Sequence, residues 1–512
     1  MKIRAKTIAG LIVIGLLVFG STTFALEGKL TLAPTCWGSG VLDPHQVTTG
    51  CEILNTGWAM FNGLLQRGVD GKIQPALATD WKMGPDGLSF TFNLRQDVKF
   101  HNGDPFTAED VKFSYDRVLS KEVQSIRKAT IARFVERTEI INPYQVKVYL
   151  KKPYPALEER VGDYMLIMPK GYYEKVGKKG FEEAPIGTGP WKFVKREGND
   201  ARYFTANESY FGNGPYIKDM VYRNIPEEAT KWAALKNGEI DAAYFTAVPY
   251  LKEAKSSKEF KMYTVPDASM LTLWPRLDKP MEKLDAETKP LADARVRRAV
   301  TMAIDRQGMI DSLLYGYGQV MKYCICPNER GYRQEDKPIP YDPAEAKRLL
   351  AEAGYPNGFK TRINTTAATQ LMAQFIQAQW AEVGIQMTIE VMDQGSMFRR
   401  GYATLDLSGF STAGWYTSTH FEPGGWAGLV MPFKDPVWNK LKALYMQAVV
   451  AYKIEDRQRI ADEIREIQIA EVPVIPLAVV SWPWVVRSTV IEWPNVPAFD
   501  LIGTTNLAKM KK

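Results

Sequence analysis

The chain has 512 residues, of which 45% are hydrophobic, 24% charged and 12% aromatic, a balance too apolar for a disordered protein and ordinary for a folded one. Its formal charge of +7 is the difference of 65 basic and 58 acidic residues, spread without like-charge blocks, which argues against nucleic acid as a partner because that needs a basic stripe or patch. Four cysteines and three histidines leave little material for a multi-metal site or a dense disulfide scaffold.

In chain order, the first 25 residues are a separate object. Lys2, Arg4 and Lys6 precede an apolar run from Ile8 to Phe19 and a small-residue exit at Thr23-Phe24-Ala25. This layout predicts a secretory signal peptide cleaved after Ala25, its apolar stretch being too short to span a bilayer comfortably. No cysteine stands at the exit, where a lipoprotein carries its lipid, so the mature chain is expected free in an extracytoplasmic space. Cleavage takes Lys+Arg from 65 to 62 against 58 acids, and the net charge from +7 to +4. Nothing later approaches the roughly 20 apolar residues of a membrane-spanning helix.

Lys29 to Ala33 alternates like a strand leading into a loop. Cys36 and Cys51 then flank a turn-rich stretch, and a disulfide closing it would contribute about 3 kcal/mol by restricting the unfolded chain. From Phe61 to Phe100 come short strand-like runs punctuated by Gly68, Gly71, Pro85-Asp86-Gly87 and Asn102-Gly103. Thr107 opens a helix, with its hydroxyl as cap, Asp110 three residues on, and Val111, Tyr115 and Val118 at helical spacing. Val146-Leu150 and Ala201-Thr205 return to strand character. A helix is predicted over Arg295 to Leu314. Cys324 and Cys326 would form a strained ring if bonded to each other. Asp342-Pro343-Ala344-Glu345 is an N-cap signature for a helix that Gly354 ends. A last helix over Glu455 to Ala470 places Ile460, Ile464 and Ile467 on one face. Strands and helices interleave throughout, which predicts an α/β or α+β fold of about three domains or lobes.

The search for chemistry is largely negative. The nearest approach to a serine nucleophile elbow, from Gly409 through Ser411 to Gly414, is one residue too long for G-x-S-x-G. His45 and His101 read as loop residues with local hydrogen bonds, and no H-x-x-x-H, H-E-x-x-H or C-x-x-C occurs. Gly171 to Lys179 resembles a phosphate-binding loop but has the wrong spacing. What stands out is 13 tryptophans and 24 tyrosines, since flat rings often line pockets for peptides, sugars or apolar solutes. The run from Gly414-Trp415 to Gly425-Trp426 mixes rings, hydroxyls and glycines without periodicity, as an ordered functional loop does.

Several segments, read together, resemble one family. They include Gly71-Lys72-Ile73-Gln74-Pro75-Ala76-Leu77-Ala78-Thr79-Asp80-Trp81, Asp86-Gly87-Leu88-Ser89-Phe90-Thr91-Phe92, Val98-Lys99-Phe100-His101-Asn102-Gly103 and Thr107-Ala108-Glu109-Asp110-Val111. Further on come Ile186-Gly187-Thr188-Gly189-Pro190-Trp191, Gly238-Glu239-Ile240-Asp241, Arg295-Val296-Arg297-Arg298-Ala299 and the helix from Asp342 to Gly354. In this order they are similar to the peptide/nickel family of extracytoplasmic solute-binding proteins that serve ABC importers. The resemblance implies an α/β, two-lobed periplasmic-binding-protein fold with an additional inserted domain. The first lobe would comprise residues 26–68, 186–275 and 486–512, the inserted domain 69–185, and the second lobe 276–485. It implies a monomeric periplasmic receptor, not an enzyme, without cofactor or resident metal. Such a receptor binds a small molecule or peptide in the cleft and delivers it to membrane permease subunits. Its glycine-, threonine- and proline-rich motifs would mostly be folding signatures.

Members that bind peptides typically show G-W-x-x-D-x-x-D/E-P, whose Asp resembles the partner of a peptide ammonium group. Here Gly414-Trp415 and Glu422-Pro423 are present with one extra residue between them, and the Asp position holds Ser418 or Thr419 depending on the end counted from. A buried ammonium without a counter-charge costs several kcal/mol. Residues Asn364 to Leu371, near where dipeptide receptors hold the carboxylate, contain no arginine, although Arg362 is a substitute. The expected ligand contacts are therefore Trp415, Ser418, Thr419 and His420, with Trp37 and Gly38 after the first strand. A peptide is the family default, and an oligosaccharide or another non-peptide solute fits the departure. The competing readings are an exported glycoside-acting enzyme and a nickel or haem carrier using His420.

Overall fold

Leu30 and Leu32 are fully buried because the Lys29–Ala33 strand lies between two parallel neighbours, Asp219–Arg223 and Ala242–Tyr244. A strand covered on both faces must be apolar at successive positions. The computed structural model describes residues 26–34, 37, 40–47, 57–68, 73–123, 128–155, 157, 165–245, 248–327, 329–393, 396–397, 399–416, 434–493 and 509–510. Within them an 11-stranded mixed sheet runs Gln386–Val391, Lys360–Thr365, Phe410–Tyr416, Phe260–Pro275, Ile475–Arg487, Ala242–Tyr244, Lys29–Ala33, Asp219–Arg223, Ala201–Ala206 and Trp191–Glu197, with Gly318–Val320 added to Ile475–Arg487. The architecture is mixed α/β, as the interleaved signals predict.

Two long strands join the halves of this sheet. Phe260–Pro275 pairs antiparallel with Ile475–Arg487 along nearly its whole length, but the register breaks between Val265 and Ser269, where Ser481 alone faces residues 266–268. Such a bulge bends and twists the ladder locally. One half packs on a core containing Leu30, Phe61, Trp191 and Trp484. The other packs on cores containing Val300, Ile376 and Trp380, and Trp274, Trp438 and Ile464.

A second sheet stands apart: Ala78–Met83, Ser89–Leu94, Gln145–Leu150 and Val135–Asn142, all antiparallel. Helix Ala108–Leu119 covers it. The Thr107 N–H and hydroxyl both donate to the Asp110 carboxylate at 2.9 and 3.2 Å, so this cap is made to a side chain three residues on.

The helix predicted over Arg295 to Leu314 is two helices, Ala294–Met302 and Arg306–Leu313. Asp305 ends the continuity: its carboxylate accepts from the Gly308 N–H at 2.8 Å, an N-cap for a new helix. The other two late helices form as read, Pro343–Glu352 capped by Asp342 and Ile454–Glu471 with Ile460 and Ile464 buried. Arg297 shows why its motif is a folding signature. It is buried and donates to the carbonyls of Leu291, Ala292, Glu471 and Val472, satisfying chain ends that have no other partner in a helix.

The signal segment, Cys36, Cys51 and Gly38 lie outside the described residues. No helix among the described residues is long and apolar enough to cross a membrane. Cys324 and Cys326 are both buried. The Cys324 Sγ lies 3.8 Å from Met270 Sδ, and burial pushes its thiol up to about 12, so it stays protonated and inert.

Candidate functional site

In an open sheet, ligands bind beyond the carboxyl ends of parallel strands, where neighbouring connections diverge. The parallel trio of the first half ends at Ala33, Arg223 and Tyr244. Trp37 follows the central strand and is buried. Its Nε1–H donates to Asn199 Oδ1 at 2.7 Å, and the Arg202 guanidinium lies 4.2 Å from its ring centre. Trp37 therefore holds the strand exit in place with one polar group and one ring face already committed.

A row of rings lies beside it. Trp484 is paired in register with Tyr244 on one side and Tyr263 on the other. Trp482, two residues along the same face, meets Tyr244 edge-on with centroids 5.8 Å apart. Trp493 packs on Trp484 at 5.4 Å. Tyr244 and Tyr263 are only partly buried, and desolvation holds the Tyr263 hydroxyl above its ordinary value. The sequence reading did not single out these residues. The signal was the alternation Trp482-Pro483-Trp484, which puts both tryptophans on one face of a strand.

The second half has parallel strand ends of its own. Lys360–Thr365 is parallel to Gln386–Val391 and Phe410–Tyr416. Past its carboxyl end the hydroxyls of Thr365, Thr369 and Thr412 form a closed set: Thr365 to Thr369 at 2.8 Å, Thr369 to Thr412 at 3.0 Å and Thr412 to Thr365 at 3.2 Å. Asn364 is buried beside them, donating to the carbonyls of Ser408 and Phe410. These four side chains are polar and uncharged, and the nearby Arg276, 3.5 Å from Ser411 Oγ, is paired with Asp278.

Arg362 does not face a ligand with a spare charge. Its guanidinium is 3.1 Å from Glu287 and 2.8 Å from Glu390, and Glu390 is also 2.6 Å from Arg400. Hydrogen bonds from Arg362 and then Arg400 hold the Glu390 carboxyl below its usual range. With Asp406 3.2 Å from Arg400, two arginines and three carboxylates form one network along the sheet edge, leaving no unpaired cation in it.

The backbone of Trp415 lies in the Phe410–Tyr416 strand, opposite Met270. Tyr416, its last residue, opposes Ser269, which pairs with Val480. The chain therefore leaves the sheet two strands across from Val480, which stands two residues before Trp482 on its own strand. Ser418, Thr419 and His420 follow directly and lie outside the described residues, as does Gly38.

The other two histidines are staples across distant segments rather than local loop contacts. His45 Nε2 is 2.8 Å from the Leu166 carbonyl; burial and then the Arg117 charge lower its pKa to about 4. His101 Nε2 is 2.9 Å from the Gly189 carbonyl, while its Nδ1 accepts from the Gly187 N–H at 3.2 Å. Burial lowers its pKa to about 4 as well. Both rings are neutral at pH 7. Among the described residues no group of three or more His, Cys, Asp or Glu side chains is placed to hold a metal ion.

The sequence profile of the Bacterial extracellular solute-binding proteins, family 5 Middle, matches residues 72–427. Heme-binding protein A of Haemophilus influenzae is 29% identical over 370 residues, 66% of each chain. Glutathione-binding protein GsiB of Salmonella paratyphi A is 30% identical over 444 residues, 82% of this chain and 83% of the relative. Among solved structures, the ABC transporter-associated periplasmic binding protein DppA from Helicobacter pylori, in complex with peptide STSA, is similar with a TM-score of 0.78 and 26% identity over 95% of this chain and 99% of that one.

Proposed function

This chain belongs to the bacterial extracellular solute-binding proteins of family 5 and is a receptor that captures a solute for an ABC importer; we propose that its ligand is a small polar solute held by ring stacking and uncharged hydrogen bonds. The observation that carries this reading is the threonine set itself. The threonine hydroxyls stand beyond the Lys360–Thr365 strand, and Arg362 is engaged by Glu287 and Glu390. With Ser418 or Thr419 where peptide receptors place an Asp, neither end of a zwitterionic peptide finds an obvious counter-charge. Buried charges without partners are expensive, so ligands with masked or absent termini fit best.

On this reading Trp415, Ser418, Thr419 and His420 contact the ligand from the second lobe, and Trp37 and Gly38 contact it from the first. The aromatic row at Tyr244, Tyr263 and Trp482 supports this placement, lying in the same sheet as Tyr416, after which the 417–433 segment departs. Closure about the two long strands traps the ligand and is favoured only by its extra affinity for the closed form. The lobe divisions at 68/69, 185/186, 275/276 and 485/486 belong to the same proposal, the inserted domain being supported by the separate four-stranded sheet. Cleavage after Ala25, a monomeric state, binding without turnover and no affinity for nucleic acid complete the proposal.

Thermal unfolding of the stripped protein against glutathione, a free tetrapeptide, its N-acetylated amide and neutral oligosaccharides tests it. A ligand at 100 times its dissociation constant adds roughly 2.7 kcal/mol. A shift with capped peptide or sugar supports the uncharged set, and a shift with the free tetrapeptide alone rejects it.

A haem or nickel carrier is the second reading. One relative is named for haem binding, and with His45 and His101 engaged in hydrogen bonds, His420 is the histidine left for a metal. Absorbance after haemin titration, compared with His420→Ala, distinguishes it.

A further inference from the structure

Helix Pro436–Val450 is apolar on two faces, and the faces belong to different bodies. Trp438, Leu441, Leu444 and Ala448 pack in the core of the two crossing strands, with Met270, Trp274 and Val479; Trp438 stacks on Trp274 with centroids 5.5 Å apart. Tyr445 and Val449 instead belong to the core of the four-stranded sheet, among Phe90, Phe92 and Tyr115, and are 2% and 1% exposed. Met446 and Val450 lean on the same core. Just beyond the helix, Tyr452 Oη donates to the Gly84 carbonyl at 3.1 Å. Its ring lies so close over the following turn that a Cβ on Gly87 would fall 2.4 Å from it.

The four-stranded unit is tied more firmly to the other lobe. Arg117 from its helix forms a buried ion pair with Asp43 at 2.5 Å. The His45 ring bonds to the Leu166 carbonyl, the Ile167 N–H donates to the Asn62 carbonyl at 2.9 Å, and His101 is held by Gly187 and Gly189. These are enclosed polar contacts whose loss leaves unpaired groups. The helix contact is made chiefly by apolar side chains, with the Tyr452 hydrogen bond at its exposed margin. Rotation about the Phe260–Pro275 and Ile475–Arg487 strands therefore parts the weaker seam.

We propose that helix Pro436–Val450 is a closure latch: its Tyr445–Val449 face docks on the four-stranded unit when the cleft shuts and leaves it when the cleft opens. The apolar face covered on docking then sets the open–closed balance without touching ligand, and so scales apparent affinity by the fraction of closed molecules. The proposal rests on reading the chain as a receptor that closes on its ligand, but its test uses none.

Small-angle scattering of the ligand-free full mature chain is compared for wild type, Met446→Glu, Val449→Ala and Tyr452→Phe. A latch predicts a larger radius of gyration and maximum dimension in the first two variants, a smaller increase in Tyr452→Phe, and unchanged helix content by circular dichroism. Unchanged dimensions with a lowered melting temperature would make the helix a fixed part of the small core and overturn the proposal. Should Met446→Glu not fold, Val449→Ala and Tyr452→Phe carry the same comparison. Failure of every ligand in the binding panel would count against the ligand reading and leave the scattering result to judge the latch.

Discussion

His101 and Gly187 are bonded through the ring nitrogen and the backbone: Gly187 N–H donates to His101 Nδ1, and the opposite ring nitrogen meets the Gly189 carbonyl. This fixes the tautomer with its proton on Nε2 and joins a turn of the four-stranded unit to the segment that re-enters the large sheet. Protonation would place a second donor against the Gly187 N–H.

A pH dependence follows from buried His45 and half-buried His101. His45 has a folded pKa of about 4 against about 6.5 unfolded, so the unfolded chain binds more protons between these values. Stability is complete above pH 6.5 and falls as pH drops toward 4, by on the order of 3 kcal/mol for His45 if fully expressed. His101 acts in the same direction. Urea denaturation from pH 7.5 to 4.5 should show this slope, and His45→Asn should flatten it; an equally steep slope in that variant would remove His45 as the cause.

Gly187 and Gly189 are there because no side chain fits. A Cβ would lie 2.1 Å from the Met60 carbonyl oxygen at Gly187 and 2.4 Å from the Met60 carbonyl carbon at Gly189. Backbone cannot yield as a side-chain tip does, so Gly187→Ala is expected to destabilise by about 3 kcal/mol or more. The denaturant midpoint measures it, with Gly171→Ala as control, since a Cβ there meets nothing within 4 Å.

Breaking the Arg117–Asp43 pair is expected to be severe. Both side chains are nearly inaccessible at 8% and 1%, and Arg117 also lies 4.5 Å from the Tyr173 ring centre. Arg117→Met leaves a buried carboxylate unpaired, at about 3–5 kcal/mol. The double variant with Asp43→Asn should recover part of that loss in equilibrium unfolding; full additivity would show that the pair is not coupled.

Trp415→Ala is expected to weaken binding of whichever panel ligand is found by at least about 1 kcal/mol, as loss of an aromatic anchor does. Calorimetry reads this directly, and an unchanged affinity would take the loop out of the site. Thr419→Asp should improve binding of a free-amino tetrapeptide relative to its acetylated form.

Arg362→Ala should leave ligand affinity unchanged and lower stability by only about 1 kcal/mol or less, because Arg362 is 37% exposed and its ion pairs with Glu287 and Glu390 are screened by water. A tenfold loss of affinity for a carboxylate-bearing ligand would instead make it a ligand residue.

Local chemistry determined a large part of this protein in sequence. The Asp342-Pro343 helix start and the Lys29–Ala33 strand depend on backbone geometry and near neighbours, so they are readable from spacing. Only tertiary structure decided the rest. The helix read over 295–314 is broken because Asp305 prefers to cap. Arg362 is spent on Glu287 and Glu390, residues 75 and 28 positions away. Tyr244, Tyr263 and Trp482 become one surface through strand register. His45 and His101 turn from loop residues into staples on partners 121 and 88 positions distant. Charge pairing, burial and cross-strand proximity are properties of positions in space, and a chain of 512 residues fixes them only once its long strands have paired.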